Sequence, residues 1–152
     1  MEKGIILLPE DRQKQGLVMS WGLGRNVTLP IISKYAKSGF NDEKAERELS
    51  KKLLEEVDTK AVDIFQPASS LSGGNQQKVV IAKLLCRNPD ILIFDEPTVG
   101  VDVGAKEEIY KIMEELTAQG KGYHFNFFLS AGGYGIIRSS VRNGTGKNYR
   151  RI

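Results

Sequence analysis

The stretch SSLSGGNQQKVVIAKLL, residues 69–85, places a serine and two glycines directly before an apolar helical segment. Ser72, Gly73 and Gly74 would leave backbone N–H groups unpaired at the positive end of the helix dipole. Glycine also lets the backbone come close to a bound anion, so the stretch predicts a helix start that binds phosphate. Serine is equally a good helix N-cap, and on this stretch alone both interpretations stay open.

The segment DILIFDEP, residues 90–97, predicts a buried β-strand that ends in two carboxylates. Asp95 and Glu96 follow an apolar run, and Pro97 stops the strand. Open α/β sheets bind their ligands at the carboxyl ends of the strands. One carboxylate there can reach a magnesium ion while the other orients a water molecule; solvated loop acids are the alternative.

The remaining pattern alternates apolar runs with amphipathic segments. Residues 4–8 (GIILL) predict a buried strand, and the polar, glycine-rich segment 9–26 predicts a loop. Residues 41–58 and 102–120 predict amphipathic helices. Their inward positions are Ala45, Leu49, Leu53, Val57, Ile109, Ile112, Met113 and Leu116. The order helix, buried strand, helix predicts an α/β fold with a parallel sheet.

Charge and composition limit the classes of partner. The 152-residue chain has a net charge of +3, but residues 122–152 carry five basic and no acidic side chains. Residues 1–121 therefore hold 17 basic and 19 acidic residues, which offers no general basic surface for nucleic acid. The single cysteine, Cys86, predicts a buried, inert thiol in a reducing compartment. No apolar run is long enough to span a bilayer, so any membrane role requires a partner.

Longer strings resemble one family of ATPases. LSGGNQQKV, residues 71–79, and ILIFDEPTVGVD, residues 91–102, resemble the signature motif and the Walker B strand with D-loop of ATP-binding cassette (ABC) ATPases. The strings GGNQQKVVIAK, DEPTVGVDVGAKEEIYKI and LLPEDRQKQGL look like the second cassette of the double-cassette ATPases that energise import of simple sugars. The resemblance covers about residues 3–121.

The resemblance implies a role for three acidic residues. Asp95 would hold Mg²⁺ through water, and Glu96 would polarise the water that attacks ATP. Asp102 would be the D-loop acid at the contact between two cassettes.

The resemblance also implies a set of residues that bind nucleotide: Ser72, Gly73, Gly74, Asn75, Gln76 and Glu10. The serine and the two glycines would contact the γ-phosphate. Asn75 departs from the pattern, because many cassettes have glutamine there. Glu10 stands at the usual position of the Q-loop glutamine, as is typical of second cassettes in this branch, and this change puts the metal contact there in doubt.

The phosphate-binding Walker A sequence, G-x-x-x-x-G-K-[ST], does not occur in this chain. GTGKN, residues 144–148, only resembles it, because Asn148 replaces Ser or Thr and the motif follows Walker B. In the family, two cassettes pack head to tail, and the signature of one closes over ATP held by the other. We therefore expect the anion that faces Ser72 to belong to a partner cassette, and the isolated chain not to hydrolyse ATP.

The resemblance implies a C-terminal fragment of the second cassette of a sugar-import ATPase. Residues 10–89 would form the helical subdomain and residues 90–121 the part of the core with Walker B and the D-loop. The intact protein would drive two membrane permease subunits, fed by a solute-binding protein, from the cytoplasmic face of the plasma membrane. A nucleic-acid-linked ABC ATPase, which the charge balance disfavours, and a non-functional product of a damaged gene are the alternatives.

The composition changes abruptly near Lys121. Residues 122–152 hold six of the 16 glycines and six of the 12 aromatic residues. The family should continue with an apolar strand and the motifs SSELPE and SDR, none of which occurs there. We expect residues 122–152 to be translated in the wrong frame and to pack poorly; a divergent natural C-terminus is the alternative.

Overall fold

The computed structural model describes residues 4–37, 40–89, 91–118, 122–126, 140–142 and 148–150. Its strands are β1 (Ile5–Leu8), β2 (Ala36–Lys37), β3 (Phe40–Asn41), β4 (Ile91–Asp95), β5 (Gly122–Asn126), β6 (Ser140–Arg142) and β7 (Asn148–Arg150). Its α-helices are α1 (Leu23–Thr28), α2 (Glu43–Glu56), α3 (Gly73–Leu85) and α4 (Val103–Ala118). A π-helical turn covers Arg12–Gly16, and 3-10 helices cover Leu29–Lys34 and Ala68–Ser70.

The main sheet has five strands in the order β1-β4-β5-β6-β7. The pairs β1–β4 and β4–β5 are parallel, so the predicted parallel sheet is confirmed, whereas β6 and β7 add antiparallel pairs. The apolar run of β4 is covered, with Leu92 and Phe94 almost fully buried. Burial of this kind is typical of a parallel strand with neighbours on both sides.

The strand predicted at residues 4–8 exists, but only part of it is buried. Leu8 is fully buried, whereas Ile5 and Leu7 are 59% and 53% exposed. Successive side chains of a strand point to opposite faces, so these two residues share a face that is more than half exposed. The prediction of a buried strand is therefore wrong for that face.

The loop predicted at residues 9–26 is also partly wrong, because it contains the π-helical turn and the start of α1. The Asp11 carboxylate caps the turn by accepting hydrogen bonds from the N–H groups of Gln13 and Lys14, both at 3.1 Å. The side-chain amide of the buried Asn26 accepts a hydrogen bond from the Val18 N–H and donates one to the Val18 carbonyl. Polar side chains thus order the segment, and apolar periodicity does not reveal such order.

The helices enclose α3, whose residues are mostly buried. The predicted inward side chains of α4 are all buried, and Asp42 caps α2 through the Ala45 N–H at 3.1 Å. Leu53 on α2 and its C-cap residue Val57 are buried, whereas Leu49 is only partly so. A helix that is covered on nearly all sides belongs to the core, so the body of α3 is held in place by its neighbours. No helix among the described residues has the length and hydropathy needed to cross a bilayer.

Candidate functional site

Ser72 forms the N-cap of α3 and is exposed. Its Oγ accepts hydrogen bonds from the backbone N–H of Asn75 at 3.4 Å and from Asn75 Nδ2 at 3.1 Å. These contacts use lone pairs and leave the hydroxyl proton able to point outward. The N–H groups of Gly73 and Gly74 have no acceptor within the helix, because they lie in its first turn. The structure therefore has Ser72 as an exposed N-cap, followed by a partly exposed Gly73 and a buried Gly74.

The two glycines at this helix start also fit tightly against the rest of the chain. A Cβ added to Gly74 would lie 2.4 Å from Ala105 Cβ on α4. A Cβ added to Gly73 would lie 2.7 Å from Arg12 Nη2 and 3.1 Å from the Gly100 carbonyl oxygen. Close packing within the chain is thus a second reason for glycine at both positions, beside access for an anion.

Asp95 and Glu96 lie where the sequence predicts them, at the carboxyl end of β4. Both are partly exposed, and Glu96 has a φ of 43°, a left-handed conformation that is unusual for a residue other than glycine. Strained backbone of this kind is common at functional sites. It turns the chain from β4 into the loop that leads to α4.

A magnesium ion fits Asp95 only if most of its ligands come from elsewhere. Within the described part of the chain, no group of three or more His, Cys, Asp or Glu residues could hold a metal. Mg²⁺ commonly keeps several waters and takes one or two protein carboxylates together with substrate phosphates. The single partly exposed carboxylate of Asp95 meets that requirement.

The loop of residues 98–102, the D-loop of the family resemblance, connects these acids to α4. Gly100 has a φ of 64°, which glycine adopts without strain, and Asp102 is exposed. Asp102 Oδ1 accepts a hydrogen bond of 2.9 Å from the Ala105 N–H, so this residue caps α4. Two apolar side chains are exposed here: Val99, within the loop, is 44% exposed, and Val103, directly after it, is 77% exposed.

Glu10 and Gln76 occupy different environments. Glu10 is exposed, whereas Gln76 is only 4% exposed. Gln76 Nε2 donates to the Leu71 carbonyl at 3.0 Å, and its Oε1 accepts from Gln13 Nε2 at 3.2 Å. The Gln76 amide therefore connects segments of the chain rather than facing solvent beside Ser72.

The sequence analysis missed a charged cluster behind the helix start. Lys78 is 1% exposed, and its Nζ lies 2.7 Å from Glu108 Oε2 and 2.7 Å from the Asp58 carbonyl oxygen. Lys60 also contacts Glu108 at 3.2 Å, and its N–H donates to Asn75 Oδ1 at 2.9 Å. Hydrogen bonds from Lys78 and Lys60 hold the pKa of Glu108 below its usual value. The only sequence signal is a lysine inside the apolar run of α3.

The structure brings the predicted residues together in two groups. Close approaches join the start of α3 to the D-loop and to the start of α4. Asp95 and Glu96 lie at the other end of the same loop, and among the described residues the Ser72 side chain hydrogen-bonds only with Asn75. The helix start and the carboxylates therefore form two separate parts of the candidate site.

Proteins of known name match most of this chain in sequence. A ribose import ATP-binding protein from Hahella chejuensis is 49% identical over 121 residues, 79% of this chain and 24% of that protein. A xylose import ATP-binding protein from Pseudomonas syringae pv. tomato is 47% identical over 117 residues, 77% of this chain and 22% of that protein. The chain thus spans about a quarter of the length of these curated relatives.

Solved structures agree on the fold. A dimeric post-hydrolysis state of the ATP-binding cassette MJ0796, bound to ADP and phosphate, has a TM-score of 0.64 and 26% identity. The match covers 81% of this chain and 51% of that chain, which confirms the expected partial cassette. The family model described as ABC transporter matches residues 7–99, a range that includes Ser72, Asp95 and Glu96. This match covers more than half of the sequence, and the chain therefore belongs to the ABC transporter family.

Proposed function

We propose that this chain is part of the ATP-hydrolysing subunit of a sugar importer and supplies the signature side of an ATP site shared with a partner cassette. The observation that carries the proposal is the exposed Ser72 hydroxyl at the start of the buried helix α3, in a chain without a Walker A sequence. A helix start of this kind favours an anion but offers few of the contacts needed to capture one alone. The names of the ribose and xylose import relatives support sugar as the cargo.

Each half of the proposed site has its own chemistry. At the helix start, Ser72 and the N–H groups of Gly73 and Gly74 would donate to the γ-phosphate of ATP held by the partner. At the end of β4, Asp95 would hold magnesium through water, and Glu96 would orient the attacking water for nucleotide bound beside it. Magnesium, when bound, neutralises charge on the phosphates.

The proposed partners are a second cassette, packed head to tail, and membrane permease subunits at the cytoplasmic face, which a solute-binding protein supplies. The dimeric state of the related MJ0796 cassette supports the first of these. The exposed Val99 and Val103 beside Asp102 provide an apolar surface for such a contact. We propose residues 10–89 as the helical subdomain and residues 90–121 as the segment with Walker B and the D-loop.

A chimera tests the proposal. Residues 4–118 would replace the matching segment of the Hahella chejuensis relative, and ATP affinity and turnover would be measured together. We expect Ser72→Arg to abolish turnover at the partner's site while ATP affinity is largely kept, because bulk there prevents closure over nucleotide. Ser69→Arg, at an exposed serine three residues earlier, is the matched control. Unchanged turnover in the Ser72 variant would overturn the proposal.

The 152-residue chain by itself provides a second test. Without Walker A, it should show no ATP turnover at or above about 1 s⁻¹, the low end for phosphoryl-transfer enzymes. If the chain did turn over ATP at that rate, and Glu96→Gln abolished the turnover, the chain would be shown to hold its own nucleotide.

A further inference from the structure

Arg12 is a residue of the π-helical turn whose guanidinium is directed at two parts of the candidate site. Its Nη1 donates to the Val99 carbonyl at 2.8 Å, and its Nη2 donates to the Gly100 carbonyl at 3.1 Å. Its Nε donates to Gln76 Oε1 at 3.4 Å. One side chain therefore connects the D-loop to the first turns of α3.

Helix electrostatics do not explain this placement. Arg12 Nη2 lies so close to the start of α3 that a Cβ on Gly73 would come within 2.7 Å of it. The amino-terminal end of a helix repels a cation, and no carboxylate among the described residues lies within ion-pair distance of Arg12. The charge is satisfied by backbone carbonyls of the D-loop, and such charge-assisted hydrogen bonds are among the stronger ones in proteins.

The turn that carries Arg12 is fixed to α3 by the residues that follow Arg12. Gln13 Nε2 donates to Gln76 Oε1 at 3.2 Å, and Lys83 Nζ donates to the Gly16 carbonyl at 2.7 Å. A Cβ on Gly16 would lie 2.9 Å from Val80 Cγ2, so the turn packs directly on the helix. Arg12 therefore projects from a turn that is held firmly against α3.

We propose that Arg12 is a positioning residue that holds the D-loop against the start of α3. Ser72 and Asp102, both exposed, then meet a partner cassette as one preorganised surface rather than as two independent segments. The inference rests on the proposed function for its consequence in catalysis, but the attachment of the loop can be tested without any activity.

Hydrogen exchange on the full 152-residue chain tests the attachment. The N–H groups of Val99 and Val101 donate to the carbonyls of Glu96 and Thr98, so their exchange reports the order of the loop. We expect Arg12→Gln to speed their exchange by about tenfold or more, the size expected when hydrogen bonds to a charged group are lost. Arg12→Lys should give a smaller increase, because an ammonium group lacks the planar fork of a guanidinium.

Lys14→Gln is the matched control, because Lys14 lies on the same turn and its exposed side chain pairs only locally, with Asp11. It should leave loop exchange unchanged, and α4 amides should stay equally protected in all variants, which shows that the fold is intact. If Arg12→Gln left exchange at Val99 and Val101 unchanged with α4 intact, the proposal would be overturned. If α4 lost protection in Arg12→Gln, the milder variant Arg12→Lys would be used instead. Unchanged exchange at Val99 and Val101 in that variant, with α4 intact, would then overturn the proposal.

Turnover in the chimera distinguishes positioning from direct contact with nucleotide. Arg12→Gln should lower turnover about tenfold or more while ATP affinity stays within about twofold. A loop that is no longer held in place loses interactions that form only in the transition state, whereas the binding of ATP does not depend on them. Loss of ATP affinity would instead identify Arg12 as a phosphate ligand and overturn the proposal. An inactive chimera with Arg12 present would overturn the proposed function, while the exchange result would still decide whether Arg12 holds the loop.

Discussion

Lys78 Nζ lies 2.7 Å from Glu108 Oε2, and this contact ties the central helix α3 to α4. The lysine is 1% exposed, whereas the Glu108 side chain is 42% exposed. Lys78 also donates to the Asp58 carbonyl at 2.7 Å, so the loop that follows α2 joins the same cluster. A buried ammonium group requires such partners, because an unpaired charge away from water is costly.

Glu108→Ala should destabilise the chain more than Lys78→Met does. The first change leaves a buried cation with fewer partners and should lower the free energy of unfolding by about 1–3 kcal/mol. The second removes the charge itself and keeps much of the side-chain volume, which is the milder way to break a buried pair. Urea denaturation of the full chain would measure both, with Glu107→Ala, at an exposed neighbour, as the control. Equal stability of the Glu108 and Glu107 variants would contradict this prediction.

Acid should weaken the same cluster. Hydrogen bonds from Lys78 and Lys60 lower the pKa of Glu108 from its usual 4.5, so the folded state holds the carboxylate ionised. Its contribution to stability is complete above about pH 4.5 and is lost as the pH falls through the lower folded pKa. Glu108→Gln should therefore lose less stability than the original chain over that acidic range. Parallel curves of unfolding free energy against pH would rule out this role for Glu108.

Gly74→Ala should destabilise the chain even without nucleotide. The added Cβ would lie 2.4 Å from Ala105 Cβ, and overpacking of this size typically costs about 1–3 kcal/mol. Ala105→Gly removes the opposing atom, so the double variant should recover much of the loss. Denaturation midpoints of the two single variants and the double variant would test this coupling. Additive effects of the two substitutions would show that the contact is not the cause.

Cys86 should be a poor nucleophile in the folded chain. Burial raises the pKa of its thiol from 9.0 to about 11, and its Sγ contacts the Lys83 carbonyl oxygen at 2.9 Å. The reactive thiolate is therefore a very small fraction at neutral pH. Alkylation by iodoacetamide at pH 8 should be slow in native chain and fast in urea. Equal rates in the two conditions would contradict the interpretation of Cys86 as an inert thiol.

The sequence predicts the elements that have a strong repeating signal. Helices α2 and α4 and strand β4 form within a few residues of their predicted ends, because apolar periodicity and capping residues point to the same structure there. The helix that starts at Ser72 is likewise predicted from its cap and glycines. These local features also place the carboxylates of Asp95 and Glu96 at the end of β4.

Features that depend on contacts distant in the sequence could not be predicted. Arg12 meets Val99 and Gly100 across 87 and 88 residues of chain, and no local pattern marks it. Ile5 and Leu7 look like buried strand residues, but burial depends on what covers a face, and the face they share is exposed here. A local sequence pattern indicates which residues can be buried and does not identify their neighbours.

Within residues 122–152, the structure describes only the strands β5, β6 and β7. Strand β5 pairs with β4 in parallel, from Gly122 opposite Ile91 to Asn126 opposite Asp95. Pairing of this kind uses backbone groups and does not depend on which side chains the strand carries. The prediction of poor packing concerns side chains of this segment, which lie outside the described part of the structure.

We propose that residues 122–152 are read in the wrong frame, and the DNA sequence of the gene can show it. Joining the last two bases of each codon to the first of the next, residues 122–128 can encode V-I-I-[L/S]-I-S-S, residues 130–135 L-P-E-V-M-G, and residues 138–151 D-R-L-Y-V-M-E-x-G-K-I-T-G-E. Codon degeneracy permits these choices without requiring them, so the argument rests on many positions matching in order. Leu129 is the exception, because the motif SSELPE has glutamate there and no leucine codon yields glutamate in that frame.

Sequencing across the Lys121 codon should reveal L-P-E-V and D-R-L-Y-V in the alternative frame. A stop codon within the first ten triplets, or the absence of both strings, would contradict the proposal and favour a divergent natural C-terminus.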